Sequence, residues 1–215
     1  IWGENPQDEY GGPAASSEKN NLDRRWLEEF GGVLGLRVSD LIGQGGIQTR
    51  HLRQYFYLSD AELREVGVTG LFLGHYFPWD GYANAQYSKT HGFRTFYKAV
   101  EGSIVDYENL DNYQTGIHDY FKYLKYGFGR ATDLVCNHIR RGRLSRTEGL
   151  QLVRKHDGKF PQTYLDRDTK DILAEIDMTT EEFIAICDQF TNKKLFKLDG
   201  HGVLVKDASG NLSKL

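Results

Sequence analysis

The stretch 123–133, "YLKYGFGRATD", ends a long aromatic segment at Lys125, breaks it at Gly127 and Gly129, and opens the next segment with Arg130 and Asp133. Glycine at such a break lets the backbone leave one helix and enter another. Upstream, Leu110, Tyr113, Ile117, Phe121 and Leu124 recur at spacings of three and four, which predicts a helix burying one stripe. Downstream, "TDLVCNHIRRG" predicts a helix capped by Thr132 and stopped by Gly142, with Cys136 on its buried face. The second half is therefore expected to be helical. The same stretch has two functional readings. Backbone N–H groups at a helix start, two nearby cations and two glycines suit an anion. Basic residues beside glycines also fill ordinary helix–helix connections.

Working outward, Ser145…Glu148 and Thr179…Glu182 have capping-box spacing ahead of apolar runs, and Asp166 or Asp168 can cap "TKDILAEI". The tail, "LFKLDGHGVLVKDASGNLSKL", reads as a small hairpin with turns at Asp199-Gly200 and Ser209-Gly210, and no internal repeat is expected. In the first half, Leu22, Trp26, Leu27 and Phe30 predict a helix, "QTRHLRQYFY" predicts another, and Ser59…Glu62 caps a short third one. "TGLFLGHYFPWD" predicts a strand stopped by Pro78, and "IWGEN" the end of another. The expected fold is α/β: a parallel sheet over residues 1–105, then a mainly helical region with a short hairpin over 106–215.

Lys and Arg total 27 against 30 acidic residues, and a net charge of -3 argues against nonspecific nucleic-acid binding. No apolar run approaches the roughly 20 residues of a membrane span. Cys136 and Cys187 suit neither a disulfide framework nor a zinc ribbon, the seven histidines lack metal-ligand spacing, and a cytoplasmic protein binding no metal through these groups is expected. His118 reads as a boundary residue rather than a base. Glu4, Asn5, Asp8 and Glu9 follow one expected strand end, and His75, Trp79 and Asp80 follow the other, where ligands of open α/β sheets bind. Arg140, Arg141, Arg143 and Arg146 form either a solvated face or a phosphate patch.

Taken together, "GENPQDEYGG", "LGHYFPWD", "GIHDYFKYLKYGFGRATD", "IRRGRLSRTEG" and "LVRKHDGKFP" resemble the N-acetyl sugar amidotransferases of surface-polysaccharide and glycan biosynthesis, members of the PP-loop ATP pyrophosphatase superfamily. The resemblance runs from residue 3 to about residue 190. It implies an adenine-nucleotide alpha-hydrolase-like parallel sheet, ATP with Mg2+ as cofactors, an N-acetylated sugar or nucleotide sugar as substrate, and ammonia from a partner glutaminase. The family's Ser-Gly-Gly-x-Asp-Ser phosphate loop does not occur in this sequence, so the chain is expected to be the C-terminal portion of such an enzyme, inactive alone. The resemblance further implies that Glu4, Asn5, Glu9 and Tyr10 line the nucleotide edge. Lys125, Arg130 and Asp133 would be catalytic, and His75, Trp79, Asp80, Arg143 and Arg146 would bind substrate. The alternative is a non-catalytic module that binds sugar nucleotide and docks the glutaminase.

Overall fold

The computed structural model describes residues 1, 21–24, 26 and 36–215, so Glu4, Asn5, Glu9, Tyr10 and the expected "IWGEN" strand end beyond Ile1 lie outside the described residues. The chain divides into two compact units, Ile1–Asn84 and Ala85–Leu215. It is a mixed α/β protein whose C-terminal region is mainly helical.

In the first unit, β1 (Asn21–Leu22) pairs with β2 (Gly70–Leu71) antiparallel, Asn21 opposite Leu71 and Leu22 opposite Gly70. This corrects two expectations. Among the described residues the strand pairs are antiparallel rather than parallel, and Leu22 lies in a strand ahead of the expected helix, in which Arg24 and Trp26 are helical while Leu27 and Phe30 lie outside the described residues. The expected strand of 69–77 stops after two residues, because a single turn of 3-10 helix takes over at Leu73–His75. Gly70 and Gly74 weaken that run as a strand. Phe72 is fully buried and meets Trp26 edge to face at 4.8 Å between centroids. Two 3-10 turns (Val38–Leu41 and Gln44–Gly46), α1 (Thr49–Leu52) with a 3-10 turn after it, and α2 (Asp60–Val66) are also described here. The Ser59 hydroxyl accepts the Glu62 N–H, and the Glu62 carboxylate accepts the Ser59 N–H, as the capping box requires. The helix α3 (Gly81–Lys89) follows, with Asp80 Oδ1 accepting the Ala83 N–H at its start.

The second unit is built on α4 (Thr115–Tyr126), α5 (Arg130–Arg140) and α6 (Arg146–His156). A two-residue hairpin of β3 (Thr163–Tyr164) and β4 (Arg167–Asp168) follows, then α7 (Thr169–Ala174) and α8 (Thr180–Phe190). Leu165 and Asp166 both have positive φ, the conformation a two-residue hairpin turn demands. Both expected capping boxes form, Ser145 with Glu148 and Thr179 with Glu182. Asp168 takes the N-cap position of α7 without a side-chain bond.

The core gathers Tyr120, Tyr123 and Leu124 of α4 with Leu173, Phe183, Cys187, Phe196 and Leu212. Of the expected stripe, Ile117, Phe121 and Leu124 face this core and Tyr120 and Tyr123 widen it, whereas Leu110 and Tyr113 precede the helix and Tyr113 is exposed. Cys136 is also exposed, a second correction, whereas Cys187 is buried and burial pushes its thiol up to about 12. Gly149 explains the tight crossing of α5 and α6, since a Cβ there would lie 2.6 Å from Val135 Cγ1 and 2.9 Å from Ile139 Cδ1.

The tail turns at both expected places, Asp199-Gly200 and Ser209-Gly210, and carries more than one hairpin-like pair. Phe196 bridges Lys214, Leu198 bridges Leu204, and Lys206 bridges Leu212. Lys197 N–H donates to Ser213 O at 2.8 Å, Ser213 N–H to Val205 O at 3.0 Å, and Val205 N–H to Lys197 O at 3.0 Å, so three segments close into a ring. The sequence repeats accordingly: Phe196, Leu204 and Leu212 recur every eight residues, followed in the first two copies by Asp199 and Asp207, then Gly202 and Gly210. Each Asp accepts two turn N–H groups, Asp199 from His201 and Val203, Asp207 from Ser209 and Asn211. Each Gly has positive φ. Short segments and mixed polarity hide this repeat from a hydrophobic-period reading.

A glycine test checks the packing. Gly158 has φ +74, and a Cβ there would clash with Cζ and the hydroxyl of Tyr123. Gly158→Ala is expected to lower the unfolding free energy by about 2–4 kcal/mol, from left-handed strain and overpacking together. Gly200→Ala, which meets no atom within 4 Å, should change it by less than about 0.5 kcal/mol in urea titrations.

Candidate functional site

The α4–α5 break brings Arg130 into a narrow slot of the second unit. The slot is walled by Asp119, Tyr120 and Tyr123 of α4, by Gly129 and Arg130, and by the 156–161 segment, with Glu101, Gly102 and Gly116 completing it. It is open to solvent on one side, with an empty volume of about 360 Å³. Gly116 and Gly129 keep the walls close: a Cβ on Gly116 would lie 2.9 Å from Tyr164 Cδ2, and one on Gly129 the same distance from Asp157 Oδ1.

Asp157 ends α6 as its C-cap residue, and its carboxylate reaches the start of α5. There Asp157 Oδ2 accepts the Gly129 N–H at 2.9 Å and the Thr132 hydroxyl. The N-cap residue of α5 is therefore Gly129, not the expected Thr132, and Thr132 instead donates to the same carboxylate. The anion at this helix start is the protein's own, which satisfies orphan donors and complements the helix dipole. Asp157 Oδ1 is buried with no hydrogen-bond partner among the described residues.

Arg130 lies between two carboxylates. Its Nε is 3.4 Å from Asp119 Oδ2 and its Nη1 is 3.9 Å from Glu108 Oε2. These are ion pairs without good hydrogen-bond alignment, and the buried Nε has no hydrogen-bond partner. Burial raises the Glu108 carboxyl above its usual range; Arg130 opposes that rise, while Asp119 and Asp133 add to it. Burial lowers His156 and pushes the Tyr164 hydroxyl up to about 12.

Of the three expected catalytic residues, only Arg130 lines the slot. Lys125 is exposed on the last turn of α4, with its ammonium 5.3 Å from the Phe190 ring centroid and 5.9 Å from that of Phe121. Asp133 is paired with Lys122 and reaches Arg130's surroundings only through its field on Glu108. Arg143 Nε donates to His138 Nδ1 at 3.0 Å. Arg146 is exposed at the first position of α6, an 11-residue helix away from Asp157. His75, Trp79 and Asp80 belong to the first unit; His75 Nε2 is buried without a hydrogen-bond partner among the described residues, Trp79 is exposed, and Asp80 starts α3. His118 is exposed beside Asp119.

Sequence reasoning missed Glu101, Glu108, Asp119, Asp157 and Lys159 as members or neighbours of the site. One signal existed for Asp157: an acidic residue directly before Gly158 at a helix end, inside a segment that carries the family resemblance. Asp119 is adjacent to His118, which drew the attention instead. Among the described residues, no group of three or more His, Cys, Asp or Glu side chains is placed to hold a metal ion. No described helix is long and apolar enough to cross a membrane.

The second unit is thus a helical module with a slot at the break between two of its helices. Residues 91–207, more than half of the chain, match the family described as LPS biosynthesis protein WbpG-like, C-terminal domain. The chain belongs to this family of lipopolysaccharide biosynthesis. No curated protein matches it.

The raised Glu108 carboxyl gives a pH signature. A carboxyl whose folded pKa exceeds its unfolded value favours folding most below the unfolded value, and that contribution is lost as pH rises through the folded pKa. With 4.5 as the ordinary value, the stability of the wild type relative to Glu108→Gln should be highest below pH 4.5 and fall above it. Paired denaturant titrations across that range measure the difference, and a flat difference would remove the burial assigned to Glu108.

Proposed function

We propose that this chain contributes to an ATP-dependent amidotransferase that converts the N-acetyl group of a lipopolysaccharide sugar or nucleotide sugar into an acetamidino group. The observation that carries this reading is the placement of Arg130: it comes from "KYGFGRATD", the most distinctive segment of the resemblance, and lies in a glycine-walled slot. In this reaction AMP passes from ATP to the amide oxygen with release of pyrophosphate, and ammonia from a partner glutaminase then adds to the carbon as AMP departs. The described residues do not fit ATP's phosphates. The start of α5 already holds the Asp157 carboxylate, and acidic groups outnumber basic ones along the slot. In this reading the family's phosphate loop, which does not occur in this sequence, holds the pyrophosphate, and Glu4, Asn5, Glu9 and Tyr10 line the nucleotide edge.

What this chain's own residues do is hold the acceptor. Arg130, oriented by Asp119 and Glu108, presents a fixed donor in a partly desolvated site, where preorganised donors are most effective. Lys125 and Asp133 support the surrounding structure. A second reading, a non-catalytic docking and binding module, is favoured by the occupied helix start of α5.

An assay of the complete enzyme separates them. ATP, an N-acetylated nucleotide sugar and ammonium are supplied, with AMP, pyrophosphate and the acetamidino sugar followed by mass spectrometry. Arg130→Ala is expected to lower turnover by about 30- to 1000-fold, the range for losing one preorganised donor, while Lys125→Ala stays near wild type. Sugar binding without acetamidino product would decide for the docking module.

A further inference from the structure

We propose that the second unit carries a membrane-docking surface, a patch of exposed rings interleaved with lysines at the C-terminal end of α4, which seats the protein on a bilayer rich in anionic headgroups. None of its residues lines the Arg130 slot. Lys125 lies about half a turn round α4 from the slot wall of Asp119, Tyr120 and Tyr123.

Three stretches distant in sequence converge on this surface. Asn192 donates from its backbone to Leu124 O and from its side chain to Lys125 O, which holds the chain after α8 against the end of α4. From the tail, the Lys214 ammonium donates to Gly127 O. Leu195 packs there too, its Cδ1 3.2 Å from where a Cβ on Gly127 would stand. The rings stay in water all the same: Tyr126 is 63% exposed, Phe190 51% and Phe128 40%. Single exposed apolar residues are ordinary, but Tyr126 and Phe128 lie 6.2 Å apart between centroids and Lys125 links them in sequence to the Phe190 ring it covers.

Charge is the second ground. Lys125, Lys193, Lys194 and Lys214 are all exposed, and among the described residues none of them pairs with a carboxylate. Asp133 is taken by Lys122, and Asp188 by Lys206. The whole chain carries a net charge of -3, so four uncompensated cations in one place are a local feature that attracts an anionic partner.

Composition selects that partner. Every one of these cations is a lysine. Protein interfaces are enriched in Arg and depleted in Lys, and a single bound phosphate favours the guanidinium fork. Ammonium groups on long apolar stems, beside Phe, Tyr and Leu, suit the boundary of a bilayer instead. There stems and rings enter the acyl edge while the charges remain among the headgroups. Lys125 already has this form, its ammonium 5.3 Å from the Phe190 ring centroid and 5.9 Å from that of Phe121.

Flotation of the full chain with lipid vesicles tests the surface. The probes are vesicles of phosphatidylcholine alone and of phosphatidylcholine with about one-third phosphatidylglycerol, a composition that gives a negative surface potential. Binding should be at least about tenfold stronger to the anionic vesicles and should weaken as salt is raised. Lys125→Gln, Lys193→Gln and Lys194→Gln together should weaken it about 100-fold, at roughly fivefold per lysine. Tyr126→Ser with Phe190→Ser should weaken it about tenfold and leave the salt dependence in place. If circular dichroism shows that Phe190→Ser melts early, Tyr126→Ser alone carries that arm. Equal binding to both vesicle types, binding to neither, or unchanged binding in the lysine or the ring variants would each overturn the assignment. Capture of soluble polyglutamate by the same lysines without vesicle binding would overturn it too, and would give the surface to an acidic protein. Vesicle binding is read without substrate or turnover, so it stands or falls separately from the activity proposed above.

Discussion

The carboxylate of Asp157 fixes the geometry on which the slot depends. It ends α6, holds the N-cap residue of α5 through the Gly129 N–H, and takes the Thr132 hydroxyl from the first turn of that helix. One side chain thereby ties the end of one helix to the beginning of its neighbour, while Gly149 lets the two cross at contact distance. Capping contacts of this kind contribute about 0.5–2 kcal/mol each. Here the larger effect is directional. With the start of α5 fixed, Arg130 follows Gly129 into the slot rather than into solvent.

The other side of the break is held from a distance in sequence. Asn192 donates from its backbone to Leu124 O at 2.9 Å and from its side chain to Lys125 O at 3.2 Å. The Lys214 ammonium donates to Gly127 O and stands over the Tyr123 ring. The last carbonyls of α4, which the helix itself leaves unpaired, are thus satisfied by the chain after α8 and by the closed tail. Phe196, with no exposed surface, anchors that tail in the core against Tyr123. A glycine-rich connection that local chemistry would leave loose is clamped at both ends. Loop closure makes such distant contacts entropically costly, and the buried apolar surface of Phe196 and Leu212 offsets that cost.

Local chemistry was legible in the sequence where a feature closes within a few residues. The capping boxes at Ser59, Ser145 and Thr179 formed as their spacing requires, and the helix break at Gly127 to Gly129 falls where the glycines put it. The misses involve partners far apart. No period in α4 announces that Tyr120 and Tyr123 turn inward, since that depends on Phe160, Phe196 and the glycines facing them. The strand expected at 69–77 gives way after Leu71 because Gly70 and Gly74 weaken the run and a 3-10 turn takes over at Leu73. Arg130 was legible as a site residue from its motif, but its three acidic neighbours were not. They come from positions 108, 119 and 157, and only the fold brings them within reach.

That convergence changes what a basic motif means. A guanidinium beside glycines at a helix start reads as a phosphate contact when the cation is free and the helix dipole is open. Here Asp157 occupies the helix start, and Asp119 and Glu108 offset the charge of Arg130. Burial raises the Glu108 carboxyl, so the protein bears a desolvation cost to keep an acid beside this arginine, a cost that serves no purpose in a site built to attract anions. What remains of Arg130 is its planar set of N–H donors, fixed in direction and largely stripped of net charge. A donor of that kind discriminates by geometry and by hydrogen-bond sense rather than by Coulomb attraction. Such a donor can orient an amide carbonyl without stabilising every anion that diffuses into the site.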